Sequence, residues 1–448
     1  MKKSIAIAAT IALVFVSYTV QAQWWTGTSA KTGLVLCLHL GDSSLTLYSP
    51  LQSSAPIPAS SWQVDDESLN LECKAIGLKM NLKKVGDNLA GTWRQGLLRE
   101  EITFYPSDTL FTLEHPQTPL PPYSFDEEEI TADYTDSQGN PVHLSGTLTY
   151  PKSGGRFPTV VLVSGSGQQN RDEEIMQHRP FLVLANYLAS RGIATLRYDD
   201  RGVDSSTGNL DSADTYLFAE DAEAMLMALK GNRHIDTNRL GIGGHSEGGA
   251  IAPMVAARNR AAKFVVMLAG QGCTGSDVMV QQNEAIFIAK GVSADLVSIR
   301  VAMMKEIFGL EKNAPLAQYK AIVDRYTKEL SDKQRDSIGI AKGTAYQLHK
   351  QLNSSWMSSF LKLDPGTYLP RVACPILALC GSKDSQVLAE PNLAAIKKLN
   401  ANAMCRKLDG LNHLFQRCTT GSPDEYMLIE ETFNEEAMQV VADFILRL

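Results

Sequence analysis

The sequence predicts an α/β fold in which a mostly parallel sheet carries helices on both faces, with an inserted helical cap and a small N-terminal all-β domain. Three observations predict it: short alternating apolar and polar runs over the first hundred residues, a proline-dense boundary after them, and then apolar strands that alternate with amphipathic helices. The chain has 448 residues, enough for two or three cores, and its 44% hydrophobic and 20% charged content is ordinary for globular protein.

The chain begins "MKKSIAIAATIALVFVSYTVQAQ", two lysines ahead of a short apolar segment that closes on Val20-Gln21-Ala22. This is the layout of a signal peptide with a small-x-small cleavage site, so residues 1–22 are expected to direct export to the periplasm or the exterior and then be removed. The segment is too short and too weakly flanked for a stable span, so no membrane insertion is expected after cleavage. No cysteine stands at the cleavage point, which argues against a lipid anchor. The formal net charge of −7 becomes more negative once Lys2 and Lys3 leave. An acidic protein has no reason to seek phosphate backbones, so nucleic acid is not expected as a partner. The seven cysteines are too few and too scattered for a disulfide framework. They read as free thiols, with Cys37–Cys73 and Cys405–Cys418 as the alternative pairings.

Residues 23–113 hold runs such as "LVLCLHL", "SLTLYSP", "LKMNLKKV", "LAGTWRQG" and "REEITFYP", the pattern of a small antiparallel sandwich or barrel without an ionisable cluster. Residues 114–123, "EHPQTPLPPY", carry four prolines in ten residues and read as an extended linker. Residues 124–448 change grammar. The strand-like runs "EEITADYT" and "HLSGTLTYP" lead into "FPTVVLVSGSG", "IATLRYDDRG", "RLGIGGHSEGG", "AKFVVMLAG" and "CPILALCGSKD", with helical stretches between the later ones and a last helix over "NEEAMQVVADFILRL". Between Cys273 and Cys374 the alternation stops for 100 residues, far longer than an ordinary connection, so 274–373 is read as an inserted cap. Leu296, Ile299, Met303, Ile307 and Leu310 share a helix face there and are expected to form its core.

"GIGGHSEGGA" places Ser246 in a G-x-S-x-G, with a strand before it and a helix after it. A serine on such a sharp turn adopts a strained backbone, and only glycine two residues to either side lets the neighbouring elements pass. A dinucleotide fingerprint fails here, because Ser246 stands where the third glycine belongs and no acid follows at the ribose-binding distance. A serine hydroxyl attacks only when an imidazole takes its proton and a carboxylate orients that imidazole. Beyond Ser246 the histidines are His349, inside the insertion, and His413, in "LDGLNHLFQ" after the last strand. His413 is therefore the expected base. Asp384, at the end of the "PILALCGSKD" strand, is the expected acid, with Asp409 as competitor. The oxyanion donors are expected to be the backbone N–H of Glu247 and that of Ser166, with Gly167 and Gln168 next to the latter. The Glu247 side chain reads as a helix N-terminal charge, and the Asp-Arg of "YDDRG" as a structural ion pair. No H-E-x-x-H, C-x-x-C or G-K-[ST] loop occurs, so neither metal nor cofactor is expected.

Taken together, "GSGQQNRDEE", "PFLVLANYLASRGIATLRYDDRG", "RLGIGGHSEGG", "SSWMSSFLKLDP", "CPILALCGSKDSQV" and "GLNHLF" resemble secreted α/β-hydrolases of the serine-aminopeptidase-like superfamily. More narrowly, they resemble bacterial carboxylesterases with a helical cap, over the stretch from Tyr123 to the C-terminus. The resemblance implies the α/β-hydrolase fold, a Ser246, Asp384, His413 triad, no cofactor, and hydrolysis of small-molecule acyl esters through an acyl-enzyme. Asp204 stands where such proteins usually have glycine, and Gln168-Gln169-Asn170 where proline-glutamine-aspartate is common. Two other functions compete. An aminopeptidase or amidase would use cap acids such as Glu284, Asp295, Glu306 or Glu311 to hold a free amine. A ligand-binding protein would rely on the β domain and carry a vestigial hydrolase.

Overall fold

The computed structural model describes residues 23–448 except 31–32, 51–52, 97 and 112–114, so the expected export signal, 1–22, lies outside the described residues. The chain forms two compact units, divided between Leu113 and Glu114.

In the first unit the described residues form β1 (Gln23–Thr28), β2 (Val35–Leu40), β3 (Leu45–Ser49), β4 (Ser53–Pro58), β5 (Ser61–Val64), β6 (Ser68–Cys73), β7 (Leu78–Val85), β8 (Asn88–Gln95) and β9 (Leu98–Ser107). They make one antiparallel sheet ordered β4-β3-β2-β1-β9-β8-β7-β6-β5. Only Ala59 and Ser60 separate the two edge strands. The Ala59 N–H donates to Leu45 O on β3 and the Ser60 N–H to Glu72 O on β6, so the edges are drawn together and the sheet curls into a half-barrel. Alternate residues turn inward, placing Trp25, Leu38, Leu47, Leu71, Trp93 and Phe104 in one core. Each such side chain, fully buried, contributes about 1.5–3 kcal/mol. Pro56 and Pro58 sit in edge strand β4, where a missing N–H breaks no interior ladder.

The second unit contains β10 (Phe125–Thr135), β11 (Pro141–Pro151), β12 (Phe157–Val163), β13 (Ala194–Tyr198), β14 (Ile235–His245), β15 (Val265–Leu268), β16 (Ile376–Gly381) and β17 (Met404–Leu408). The sheet order is β10-β11-β13-β12-β14-β15-β16-β17. The β10–β11 and β11–β13 pairs are antiparallel, and all later pairs are parallel. Every residue of β12, β13, β15 and β16 is buried, which is why these strands read as largely apolar runs, broken only by Thr159 in β12 and by Thr195 and Arg197 in β13. The helices are α1 (Pro180–Ser190), α2 (Thr215–Ala228), α3 (Glu247–Arg258), α4 (Gly275–Ala289), α5 (Ala294–Phe308), α6 (Leu316–Thr327), α7 (Asp332–Ser337), α8 (Thr344–Leu352), α9 (Ser355–Phe360), α10 (Ala389–Leu399) and α11 (Glu435–Leu446). Helices α2, α3 and α10 bury their apolar residues against one face of the sheet, and α1 and α11 against the other.

Helices α4 to α9 form the cap, which has its own core around Met303, Ile307, Tyr319 and Ile322. Leu296, Ile299 and Leu310 pack against that core at partial burial. The end of the expected insertion behaves differently: Leu363, Tyr368, Leu369 and Val372 join the core under the sheet. These residues have no helical period, so no local pattern marks the point near Phe360 where the chain leaves the cap. The proline-rich segment is tied down at one point. Gln117 fastens it to the second unit, donating from Nε2 to Phe433 O at 2.7 Å and accepting from the Thr432 and Phe433 N–H groups at 2.6 and 2.9 Å. All seven cysteines are free thiols, and no helix of the described residues is long and apolar enough to cross a membrane.

Candidate active site

Strand β14 delivers His245 to the edge of the sheet, and the chain turns at Ser246 with φ 53° and ψ −114° before α3 starts at Glu247. The turn is pinned by the Ser246 N–H, which donates to Leu268 O at 2.8 Å. The flanking glycines are required by contact. A Cβ on Gly244 would lie 2.4 Å from the Gly248 backbone, and one on Gly248 would lie 2.1 Å from Val163 O. The packed sheet thus holds a serine in a conformation it would not adopt alone.

The other two predicted residues are brought together. Asp384 follows β16 and His413 follows β17. His413 Nδ1 donates to Asp384 Oδ2 at 2.8 Å, with both side chains buried. Asp384 Oδ1 accepts the N–H groups of Gln386 and Val387, each at 2.8 Å, so the carboxylate is held at both oxygens. The loops can approach because Gly381 ends β16: a Cβ there would lie 2.2 Å from Leu411 O. Asn412, fully buried, accepts the Leu414 and Gln416 N–H groups at 3.0 and 2.9 Å and shapes the His413 turn. Asp409 is exposed and accepts from the Ser382 hydroxyl, and His349 stacks edge-on against Tyr319 in the cap.

The loop after β12 supplies Ser166. On one side of it the Gly165 N–H is committed to Glu173 Oε1 at 2.6 Å, and beyond it the Gln169 N–H to Asp200 Oδ2 at 3.0 Å. Asp200 also accepts from the Ser164 hydroxyl at 2.7 Å, and burial holds its carboxyl well above the usual range. Where the resemblance leads one to expect aspartate, Asn170 Oδ1 accepts the Asp172 and Glu174 N–H groups at 3.1 and 3.2 Å, a turn that either residue can make. Arg201, in contrast, is fully buried among Tyr134, Asp136 and Asp221 and does not reach the cavity.

Two features escaped the sequence reading. The first is a buried Glu173–His245 pair. His245 Nδ1 meets Glu173 Oε1 at 2.9 Å and His245 Nε2 meets the carbonyl oxygen of His413 at 2.9 Å. A carboxylate and a carbonyl oxygen facing the two ring nitrogens favour the doubly protonated ring. Burial opposes that charge, and the Glu173 carboxylate together with the His413 carbonyl and the nearby Asp384 outweighs it, raising the pKa. The pair ties the Ser166 loop, the serine turn and the His413 loop together. The second feature is the Glu247 side chain, which does more than sit at a helix start. It is buried and accepts the Thr215 hydroxyl at 2.6 Å, the Trp356 indole N–H at 3.0 and 2.8 Å and the Ser166 hydroxyl. Burial raises its pKa despite these bonds. The residue after the serine therefore anchors cap helix α9. Trp356→Phe should cost about 1–3 kcal/mol in urea unfolding and loosen proteolytic protection of α9; an unchanged urea midpoint would refute the anchor.

Ser246, His413, Ser166 and Glu247 line one cavity of about 290 Å³, roofed by Met279, Trp356, Met357 and Phe360 from the cap. The cap acids Glu284, Asp295, Glu306 and Glu311 are exposed, and none lines it. Among the described residues no group of three His, Cys, Asp or Glu side chains could hold a metal ion.

The sheet order, the serine turn after β14 and the helices on both faces define an α/β-hydrolase. Within that class, the chain belongs to the serine aminopeptidase S33 family, whose model matches residues 177–415, just over half of its length. It is 28% identical over 313 residues to esterase EstD of Thermotoga maritima, an alignment covering 68% of this chain and 64% of that protein, so it spans less than two thirds of that relative. Among solved structures, Est1E of Butyrivibrio proteoclasticus with ferulic acid bound is 18% identical, with a TM-score of 0.41, covering 70% of this chain and 98% of that one. A proline iminopeptidase of Mycobacterium smegmatis is 16% identical, with a TM-score of 0.44, covering 71% and 98%.

Proposed function

We propose that this chain is an exported serine hydrolase that cleaves small carboxylic esters through an acyl-enzyme, with residues 1–22 as its export signal. One observation carries the reading: a strained serine shares a cavity with a histidine whose Nδ1 is bound to a buried carboxylate. Ser246 Oγ attacks the ester carbonyl as His413 Nε2 takes its proton, and Asp384 holds His413 in the tautomer that leaves Nε2 free to accept. The Glu247 and Ser166 N–H groups stabilise the oxyanion. The intermediate collapses as His413 returns the proton to the departing alcohol, leaving acylated Ser246. Water, deprotonated by the same imidazole, then releases the acid.

Ester rather than aminopeptide cleavage follows from charge. A free amine needs an available carboxylate, but Glu173 is paired with His245 and Glu247 is enclosed by three donors. That EstD is named an esterase supports the same choice. The test combines fluorophosphonate labelling with initial rates on nitrophenyl butyrate and alanyl nitroanilide. Labelling at Ser246 and turnover of the ester alone is the expected result. Anilide turnover alone would make the protein a peptidase. Folded protein that neither labels nor turns over would leave a binding protein with an inert hydrolase domain.

A further inference from the structure

We propose that Glu173 and His245 are positioning residues for catalysis: an ion pair beside the serine turn that keeps the Ser166 loop and the His413 loop in register only while both nitrogens of the His245 ring carry a proton. This rests on the serine-hydrolase reading and adds to it two residues and the pH range over which they act.

Three contacts meet at the pair. Glu173 Oε1 accepts the Gly165 N–H at 2.6 Å and faces His245 Nδ1 at 2.9 Å, while His245 Nε2 faces the His413 carbonyl oxygen at 2.9 Å. The pair thus reaches from the residue before Ser166 to the backbone of the catalytic histidine. It also packs against the nucleophile: a Cβ on Gly165 would lie 3.0 Å from Glu173 Oε1, 3.3 Å from Ser246 Cβ and 3.4 Å from His245 Nδ1. Glu173 holds φ 51°, a left-handed conformation that favours glycine, so a strained turn aims this carboxylate.

A neutral imidazole cannot keep all of these bonds. It has one N–H, so its other nitrogen would set a lone pair against either Glu173 Oε1 or the His413 carbonyl oxygen, and that loop would be released. Both side chains are buried, where a polar group without its partner is costly. Of the other groups that face the ring, Asp384 adds to the attraction of Glu173. The His413 ring lies 4.7 Å away between centroids and is uncharged until it takes the serine proton, and Phe415 is apolar. Burial alone favours the neutral ring, and Glu173 is the largest influence against it. Turnover that needs the doubly protonated ring is full below the pKa of His245 and falls as pH rises through it. Removing the carboxylate moves that fall to lower pH.

The experiment measures kcat and KM on nitrophenyl butyrate from about pH 5 to 10 for wild type, Glu173→Gln and His245→Gln. Glutamine at 173 keeps an oxygen for the Gly165 N–H and loses the charge. Its alkaline limb should lie at lower pH than that of wild type, with kcat near pH 8 lower by about tenfold or more and KM within about threefold. His245→Gln removes the titrating ring, so kcat should fall by about tenfold or more and the alkaline limb should disappear. A merely structural role would leave the limbs in place. Unmoved limbs in the folded variants, or kcat within about twofold of wild type, would overturn the proposal. Nitrogen-15 spectra of histidine-labelled wild type give a reading that needs no variant: one ring should pass from two protonated nitrogens to one over the pH range in which kcat falls. No such ring would equally overturn it. In each case fluorophosphonate labelling of wild type keeps the hydrolase reading. Loss of both labelling and all turnover in folded wild type would remove that reading, and this inference with it.

Discussion

Arg201→Met should lower the free energy of unfolding by about 3–5 kcal/mol, the cost of leaving buried carboxylates without their cation. Arg201 is fully buried. Its Nε donates to Asp221 Oδ2 at 2.7 Å, Nη1 to Asp136 Oδ2 at 3.1 Å, and Nη2 to Asp221 Oδ1, the Tyr134 hydroxyl and Leu217 O at 3.0, 3.0 and 3.2 Å. One guanidinium therefore joins β10, the β10–β11 turn and α2. Asp221 is already held above the usual carboxylate range, because burial outweighs its bonds to Arg201 and Tyr134. For a carboxyl raised in this way the folded state binds its proton more tightly, so stability is fullest at acid pH and falls as pH climbs through the folded value. Without Arg201 that shift grows. The deficit relative to wild type should then be largest near neutrality and shrink as pH falls toward about 4, the ordinary carboxylate range. Urea unfolding at several pH values reads both effects, and Asp221→Asn in the variant background should recover part of the loss. A deficit under about 1 kcal/mol, independent of pH, would mean that the network is solvated and carries little.

What could be read from the sequence divides along the range of the interaction. The strands of the second unit announce themselves because β12, β15 and β16 are apolar at nearly every position, as burial on both faces requires, while β13 keeps a buried Thr195 and Arg197 within the same pattern. Ser246, Asp384 and His413 could be picked out as candidates because each follows the end of a strand, and strand ends can be found from local pattern. The β domain was legible as a class, but its curl into one half-barrel depends on Ala59 and Ser60 bonding to strands on opposite sides of the sheet, which no periodicity records. The same limit hid the site's supports. Glu173 and His245 are 72 residues apart, and Glu247 and Trp356 are 109 apart. Each looks like an ordinary polar residue until packing removes water from around it. The signal that could have pointed to them is chemical: a carboxylate and an imidazole immediately beside a predicted elbow, in a stretch otherwise made of glycine.

Asp384→Asn should lower kcat on nitrophenyl butyrate by about 10⁴-fold, close to 5.5 kcal/mol of transition-state stabilisation, with KM little changed. The size follows from which way the new amide must face. Oδ1 of Asp384 accepts two backbone N–H groups, from Gln386 and Val387, while Oδ2 takes the proton of His413 Nδ1. Asparagine has one oxygen. Turning its NH₂ toward the two N–H groups would set donors against donors at 2.8 Å, so the oxygen stays at the Oδ1 position and the NH₂ faces His413. His413 can meet that donor only by accepting at Nδ1, which puts its own proton on Nε2. The imidazole then presents a hydrogen where it should present a lone pair, and Ser246 cannot be deprotonated. Because the substitution preserves volume and the two backbone bonds, thermal stability should fall far less than activity. Asp409→Asn, at an exposed residue bonded to Ser382, is the matched control and should leave kcat within about twofold. A loss below tenfold in Asp384→Asn would show that His413 is oriented by some other group. Equal losses at Asp384 and Asp409 would point to disturbance of the loops they share instead of a lost tautomer.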